Sequence, residues 1–283
     1  MKKSNLVLTL STAAITISLF IFTAACHKST SSLTNSDDNG GYASDNVKME
    51  QNSNDVVSMT DIAASTNSGS SLRTTETTIG GCATVTNDTV SIPHVLTIDF
   101  GTGTPSCTCV DGKIRSGKII VTYTGHYKDA GSTHTITYSN YFVNGNQLSG
   151  SKTVTNEGTN GSGQVYYTVT VNDTLNLGAG NGYIAWTGNR TRTWLTGYTT
   201  TDRSDDSYLI SGTTSIRRAN GNTFTMNITT PLQVAYICPW IEAGVVTVTG
   251  PGGGTRTLNY GSGNCDSEAE LTIGTHTYNI TLH

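Results

Sequence analysis

Apolar and polar residues alternate in short runs along most of the chain. Residues 95–100, for example, place Leu96, Ile98 and Phe100 on one side and polar side chains on the other. Such alternation is typical of a β-strand that buries one face. Gly-containing turn signals separate the runs, and no helical periodicity lies between them. Residues 76–283 are therefore predicted to form an all-β domain with a meander-rich antiparallel sheet, either a sandwich or a rolled sheet.

Two-residue turn signals predict four β-hairpins. They lie at Asn144-Gly145, Gly188-Asn189, Asn220-Gly221 and Gly274-Thr275. The second signal should join Tyr183–Thr187 to Arg190–Leu195. The last signal places Leu271 opposite Tyr278, which leaves one apolar face and one polar face. An antiparallel sheet with one solvated side has this pattern.

Residues 26–75 differ in composition from the rest of the chain. They are rich in Ser, Thr, Asn, Asp and Gly, and they contain no Phe or Trp and a single Tyr, Tyr42. Such a segment buries too little apolar surface to offset its ordering entropy. It is predicted to be a flexible tether. Within it, a short amphipathic helix over residues 55–64 is an alternative, carried by Val56, Val57, Met59 and Ile62.

The amino terminus has the pattern of a secretory signal peptide. Lys2 and Lys3 precede an apolar run from Leu6 to Phe22, and the small residues 23–25 follow it. A basic end, an apolar run and small residues before a cleavage site define such signals. The run is short for a transmembrane helix and is interrupted by Thr and Ser. Residues 1–25 are therefore predicted to be removed.

Cys26 directly follows the small residues, and this arrangement resembles a bacterial lipoprotein signal. The resemblance implies that Cys26 is acylated and that cleavage occurs before it. Several acyl chains hold a protein firmly on a membrane. Thr23 departs from the Leu that is usual in such signals. His27 stands where an Asp retains family members at the inner membrane, so the outer membrane is expected, on its periplasmic or surface face.

Composition excludes some classes of function. Charged residues make up 13% of the chain, about half of the usual share. The net charge is −4, and no Lys/Arg cluster forms a basic patch, so nucleic-acid binding is disfavoured. The glycine-rich residues 250–255 lack the Lys of a phosphate-binding loop. No cofactor is expected, and enzyme activity is disfavoured although the sequence does not decide it.

Cysteine usage favours the oxidising envelope. With Cys26 set aside, five cysteines remain, and an odd number leaves at least one thiol or an intermolecular bridge. We expect two disulfides, namely Cys238 with Cys265, and Cys82 with either Cys107 or Cys109. The spacing of the last two cysteines also suits a redox or metal site. No second Cys or His pair lies at ligand spacing, so no metal site is predicted.

A possible ligand face follows from the hairpin predicted at Gly188-Asn189. In that register Tyr183 opposes Trp194, and Arg190 and Arg192 share their face. Aromatic rings beside arginine suit a sugar or an anion. The same residues could instead stabilise the sheet by cross-strand packing, and the sequence favours this second interpretation.

The sequence offers carboxylates and two histidines as candidate catalytic or metal-binding groups. Carboxylates for glycoside hydrolysis could come from Asp99, Asp111, Asp205, Asp206, Glu242 and Asp266, but no motif positions any two of them. His126 and His134 would face each other across a three-residue loop at residues 129–131. Two imidazoles could then approach a metal ion, but no third ligand is evident.

Three segments resemble envelope lipoproteins of Gram-negative, Bacteroidota-like bacteria. They are residues 97–119, Tyr141-Phe142-Val143-Asn144-Gly145 and Gly261-Ser262-Gly263-Asn264-Cys265-Asp266. The resemblance covers residues 76–283 and carries over no catalytic residue. Only the modification of Cys26 carries over as site chemistry. From the whole sequence we expect a membrane-anchored binding or structural module, whose partners are the membrane and either a glycan or another envelope protein. A glycan-binding component of a nutrient-capture system is an alternative, and a carbohydrate-active hydrolase is a weaker one.

Overall fold

The computed structural model describes residues 38–66, 83–102, 107–109 and 111–282. The described residues form one α-helix, fourteen β-strands and a 3₁₀ turn at Arg203–Asp205. The helix and strands are α1 Asp38–Thr66, β1 Thr84–Asp88, β2 His94–Asp99, β3 Cys107–Thr108, β4 Ile114–Tyr123, β5 Thr133–Val143, β6 Asn146–Thr159, β7 Val165–Asn176, β8 Tyr183–Thr196, β9 Ser207–Arg218, β10 Thr223–Ala235, β11 Ile241–Thr249, β12 Thr255–Ser262, β13 Glu268–Ile273 and β14 His276–Thr281.

The strands form one antiparallel sheet in which the order follows the chain from β1 to β14. Only β3 leaves this order, because it pairs beside β4 alone. The all-β prediction is confirmed. Of the two architectures left open, the single continuous sheet matches the rolled sheet, because consecutive strands pair throughout instead of dividing between two sheets.

Three of the four predicted hairpins are confirmed. Asn144-Gly145 joins β5 to β6, and both residues have positive φ, as a type I′ turn requires. Asn220-Gly221 joins β9 to β10, but Thr223 pairs with Arg217, so the loop holds three residues, 219–221, instead of the predicted two. Gly274-Thr275 joins β13 to β14 in the predicted register, with Leu271 opposite Tyr278.

The hairpin at Gly188-Asn189 was predicted wrongly. Strand β8 runs through this dipeptide without a turn and pairs with β7 and β9 along its length. Gly188 has a φ of +148°, and a Cβ there would lie 2.4 Å from the carbonyl oxygen of Thr213. Gly212 on the adjacent β9 has a φ of +118° and a similar close contact. Glycine here lets two neighbouring strands bend together rather than turn.

The sheet curves around helix α1. Strands β2, β9 and β13 all contact the helix. In the strand order β2 stands second and β13 twelfth, a separation of about 48 Å along a flat sheet. A helix is only about 10–12 Å across, so both strands reach α1 only because the sheet bends. The face with buried apolar side chains therefore lines an interior that holds the helix.

Helix α1 corrects the interpretation of residues 26–75 as a tether, because residues 38–66 are helical. Tyr42, Val47, Met49 and Met59 are each at most 5% exposed. The short helix considered over residues 55–64 is part of this longer one. Few residues in the segment favour a helix strongly, so packing against the sheet supplies the stability that local propensity lacks. Residues 26–37 and 67–75 lie outside the described residues.

Ion pairs to arginines explain how such a polar helix is buried. Each of four acidic side chains of α1 contacts an arginine from the sheet or its connections: Asp45 with Arg218, Glu50 with Arg190, Asp55 with Arg115, and Asp61 with Arg203. A buried carboxylate needs an opposite charge or several hydrogen-bond donors. The arginines meet this need around the circumference of the helix.

Candidate functional site

A cavity of about 460 Å³ lies between helix α1 and the segment that links β10 to β11. Asp55, Ser58 and Met59 line it from the helix, and Tyr236 and Trp240 line it from the linking segment. This volume is within the range of small-molecule sites in proteins. The cavity is therefore the candidate site in the described part of the chain.

The linking segment brings exposed apolar side chains to the mouth of the cavity. Ile237 is 70% exposed and Tyr236 is 43% exposed, and both line the cavity. Cys238, between these residues and Pro239, forms a disulfide with Cys265 in the connection between β12 and β13. The bridge covalently joins this wall of the cavity to a neighbouring hairpin.

The disulfide between Cys238 and Cys265 confirms one predicted pairing. Their Cα atoms are 5.7 Å apart, within the usual range for a disulfide. Of the other candidates, Cys107 is disulfide-bonded and Cys109 is a buried thiol whose pKa is raised by burial. Cys82 and Cys26 lie outside the described residues.

An ion-pair cluster forms another part of the cavity wall. The Arg115 side chain is 2% exposed and donates from Nη2 to Asp55 at 2.7 Å and to Asp111 at 2.6 Å. Lys113 Nζ lies 3.3 Å from Asp55. All four residues line the cavity. Two carboxylates and two cations thus balance one another here.

The cluster bears on the hydrolase alternative, because two carboxylates meet at one nitrogen atom. A glycosidase needs one carboxyl group that holds a proton near neutral pH. Burial alone would raise the pKa of Asp111, but the hydrogen bonds and charge of Arg115 outweigh it and lower that pKa. Asp111 is therefore ionised and paired at neutral pH, which suits a structural carboxylate and not a general acid.

The other carboxylates considered from the sequence hold local structure. Asp99 pairs with Lys118 at 2.7 Å, and Glu242 accepts a hydrogen bond from Gln233. Asp205 accepts one from Thr200, and Asp206 lies 3.9 Å from Arg203. Asp266 accepts the backbone N–H of Glu268. Of the six, Asp111 is the one that lines the cavity.

The predicted ligand face is not an exposed surface. Because β8 is one continuous strand, Arg190, Arg192 and Trp194 share its interior face with Trp186. All four are at most 5% exposed. Tyr183 lies on the other face by the alternation of the strand. Arg190 binds Glu50 of the helix, whereas Arg192 lines the cavity.

The predicted His126–His134 pair is also corrected. His134 lies opposite Tyr123, and His126 is in the exposed loop that follows β4. The His134 ring stacks on Tyr123 with ring centres 5.4 Å apart, and it meets the edge of Tyr127 at 5.3 Å. Burial lowers the pKa of His134 to about 4. The imidazole is therefore a neutral core group at neutral pH.

Acidification should destabilise the protein through His134. Between pH 6.5 and 4 the unfolded chain binds a proton that the folded chain excludes, so stability falls with falling pH. By pH 5 the loss from this group is about 2 kcal/mol. Urea unfolding at pH 7.5 and pH 5 checks it, and His134→Phe should remove about this much of the pH dependence. His126→Gln is the exposed control, and an unchanged dependence in His134→Phe would contradict the assignment.

Two features of the site were missed from the sequence. Asp55 was assigned to the tether, and residues 236–240 carried no motif. The signal available was local, namely Pro239-Trp240 directly after a cysteine predicted to be bridged. Nothing local indicated that Asp55 meets Arg115, which is 60 residues away.

No protein-family model, curated protein or solved structure matches this chain. Within the described residues, no helix has both the length and the apolar composition needed to cross a bilayer. One group of potential metal ligands, Cys238, Glu242 and Cys265, occurs in the same residues. Its two sulfur atoms are joined in the disulfide, so they offer no thiolate to a metal ion.

Proposed function

We propose that the protein is an envelope lipoprotein, anchored in the outer membrane by acyl chains on Cys26, and that its folded body is a non-catalytic binding module. The anchor rests on the basic, apolar and small residues that precede Cys26. The cavity between α1 and the β10–β11 segment supports binding as the role of the body. The ion pairs of Asp55 and Asp111 weigh against catalysis.

A glycan is the second candidate ligand. Tyr236 and Trp240 line the cavity, and Tyr236 is exposed at its mouth. Aromatic faces of this kind stack on sugar rings. Trp194, the aromatic residue that the sequence suggested for this role, is 3% exposed and is therefore not available to a polymer at the surface.

Cells grown with labelled palmitate test the anchor. The wild-type chain should incorporate label and fractionate with the outer membrane, whereas Cys26→Ser should incorporate none and leave the membrane fraction. Cys109→Ser is a matched control because this thiol is buried, and its labelling should equal wild type. A Cys26→Ser chain that still carries label would refute the lipid anchor.

A further inference from the structure

Arg192 differs from the other arginines that face helix α1, because it forms no ion pair with a carboxylate of the described residues. Arg115, Arg190, Arg203 and Arg218 each form an ion pair with an acidic residue of the helix. Among the described residues, no carboxylate lies within 4.0 Å of the Arg192 guanidinium. Arg192 is 5% exposed, and its Nε and Nη1 atoms have no hydrogen-bond acceptor in the same part of the chain.

The surroundings of Arg192 do not neutralise it directly. Its guanidinium carbon lies 3.5 Å from the centre of the Tyr208 ring, so the cation stacks on an aromatic face. The carboxylate whose charge reaches Arg192 is that of Asp61, and Arg203 engages it at 2.5 Å. An unpaired charge at this depth is costly to bury. A ligand that supplies the missing acceptor would remove the cost.

Arg192 and Tyr208 both line the cavity. The ion-pair cluster of Arg115, Lys113, Asp55 and Asp111 lines the cavity as well. With Arg192, the wall therefore carries three cationic side chains and two acidic ones. The rest of the wall includes Met59 and Trp240, and Ile237 adds an exposed apolar side chain at the mouth. The site therefore combines an apolar body with an unpaired cation.

We propose that the cavity binds a small amphipathic carboxylate, with its anionic group at Arg192 and its apolar part against Met59, Tyr208 and Trp240. This inference rests on the proposed function of the body as a binding module and names its class of ligand. The excess positive charge disfavours a cationic amphiphile, and the apolar wall disfavours a fully hydrated sugar acid.

Equilibrium dialysis tests the class of ligand with the full-length lipidated protein in lipid nanodiscs, and empty nanodiscs provide the blank. Labelled decanoate should bind saturably with one molecule per chain. Decanol should bind at least tenfold more weakly and decylamine should not bind, because only the carboxylate pairs with the guanidinium. Equal binding of the three compounds, or no saturable binding of decanoate, would overturn the proposal. Binding of glucuronate in place of decanoate would also overturn it and favour the glycan.

Two variants locate the site. Arg192→Met should weaken decanoate binding about ten- to a hundredfold and leave decanol binding unchanged. Arg217→Met, an exposed arginine on β9, is the matched control. Ser58→Trp should fill the cavity and abolish binding of both compounds, which keeps the test valid if Arg192→Met does not fold. Decanoate binding that survives both changes would refute the site.

The labelling experiment separates this inference from the proposed anchor. Protein that is labelled at Cys26 but binds no decanoate refutes the ligand class and leaves the lipid anchor standing.

Discussion

Glu50→Gln should destabilise the protein by about 3–5 kcal/mol. The Glu50 and Arg190 side chains are 2% and 3% exposed and form an ion pair between helix α1 and strand β8. Removal of the carboxylate charge leaves the guanidinium buried without its counter-ion, because the new amide oxygen and the Thr214 hydroxyl accept hydrogen bonds but carry no charge. Urea unfolding followed by tryptophan fluorescence measures the loss, because Trp186 and Trp194 are buried in the same interior.

Glu268→Gln is the matched control for this prediction. Glu268 lies at the start of β13 and is exposed, so the same chemical change should alter stability by less than about 0.5 kcal/mol. The double variant Glu50→Gln/Arg190→Met should recover most of the loss, because no buried charge then lacks a partner. If Glu50→Gln unfolds like wild type, helix α1 does not occupy the interior of the sheet.

Asp173→Asn should cost a similar amount, about 3–5 kcal/mol. Lys152 on β6 and Asp173 on β7 have side chains that are 0% and 2% exposed, with Nζ and Oδ2 3.2 Å apart. Tyr138 also donates to this carboxylate, at 3.5 Å. Burial raises the pKa of Asp173, and the charge of Lys152 opposes that rise. The amide cannot balance the ammonium, so Lys152 is left buried without a counter-ion.

An exposed pair of the same residue types provides the comparison. Asp99 and Lys118 also lie on adjacent strands, 2.7 Å apart, but their side chains are 32% and 40% exposed. Asp99→Asn should therefore cost less than about 1 kcal/mol in the same assay. Lys152→Met/Asp173→Leu should recover most of the stability lost in Asp173→Asn. Equal losses for Asp173→Asn and Asp99→Asn would show that burial of the first pair contributes nothing.

Local chemistry in the sequence was enough to predict most of the sheet. The alternation around Leu96 and Ile98 and the turn residues at Asn144-Gly145 act within a few positions of one another. The bridge between Cys238 and Cys265 spans 27 residues and was also predicted. Gly188 is the exception, because a glycine permits either a tight turn or a bend within a strand. Only the neighbouring strands decide which occurs.

The all-β class and three hairpins follow from the chain alone, because strand alternation and turn geometry are properties of short segments. Tertiary structure alone decided that residues 38–66 form a buried helix and that a cavity lies beside it. Asp45 pairs with Arg218 across 173 residues, and Asp61 pairs with Arg203 across 142. A polar segment gains such partners only after the sheet has curved around it, and no local pattern records that.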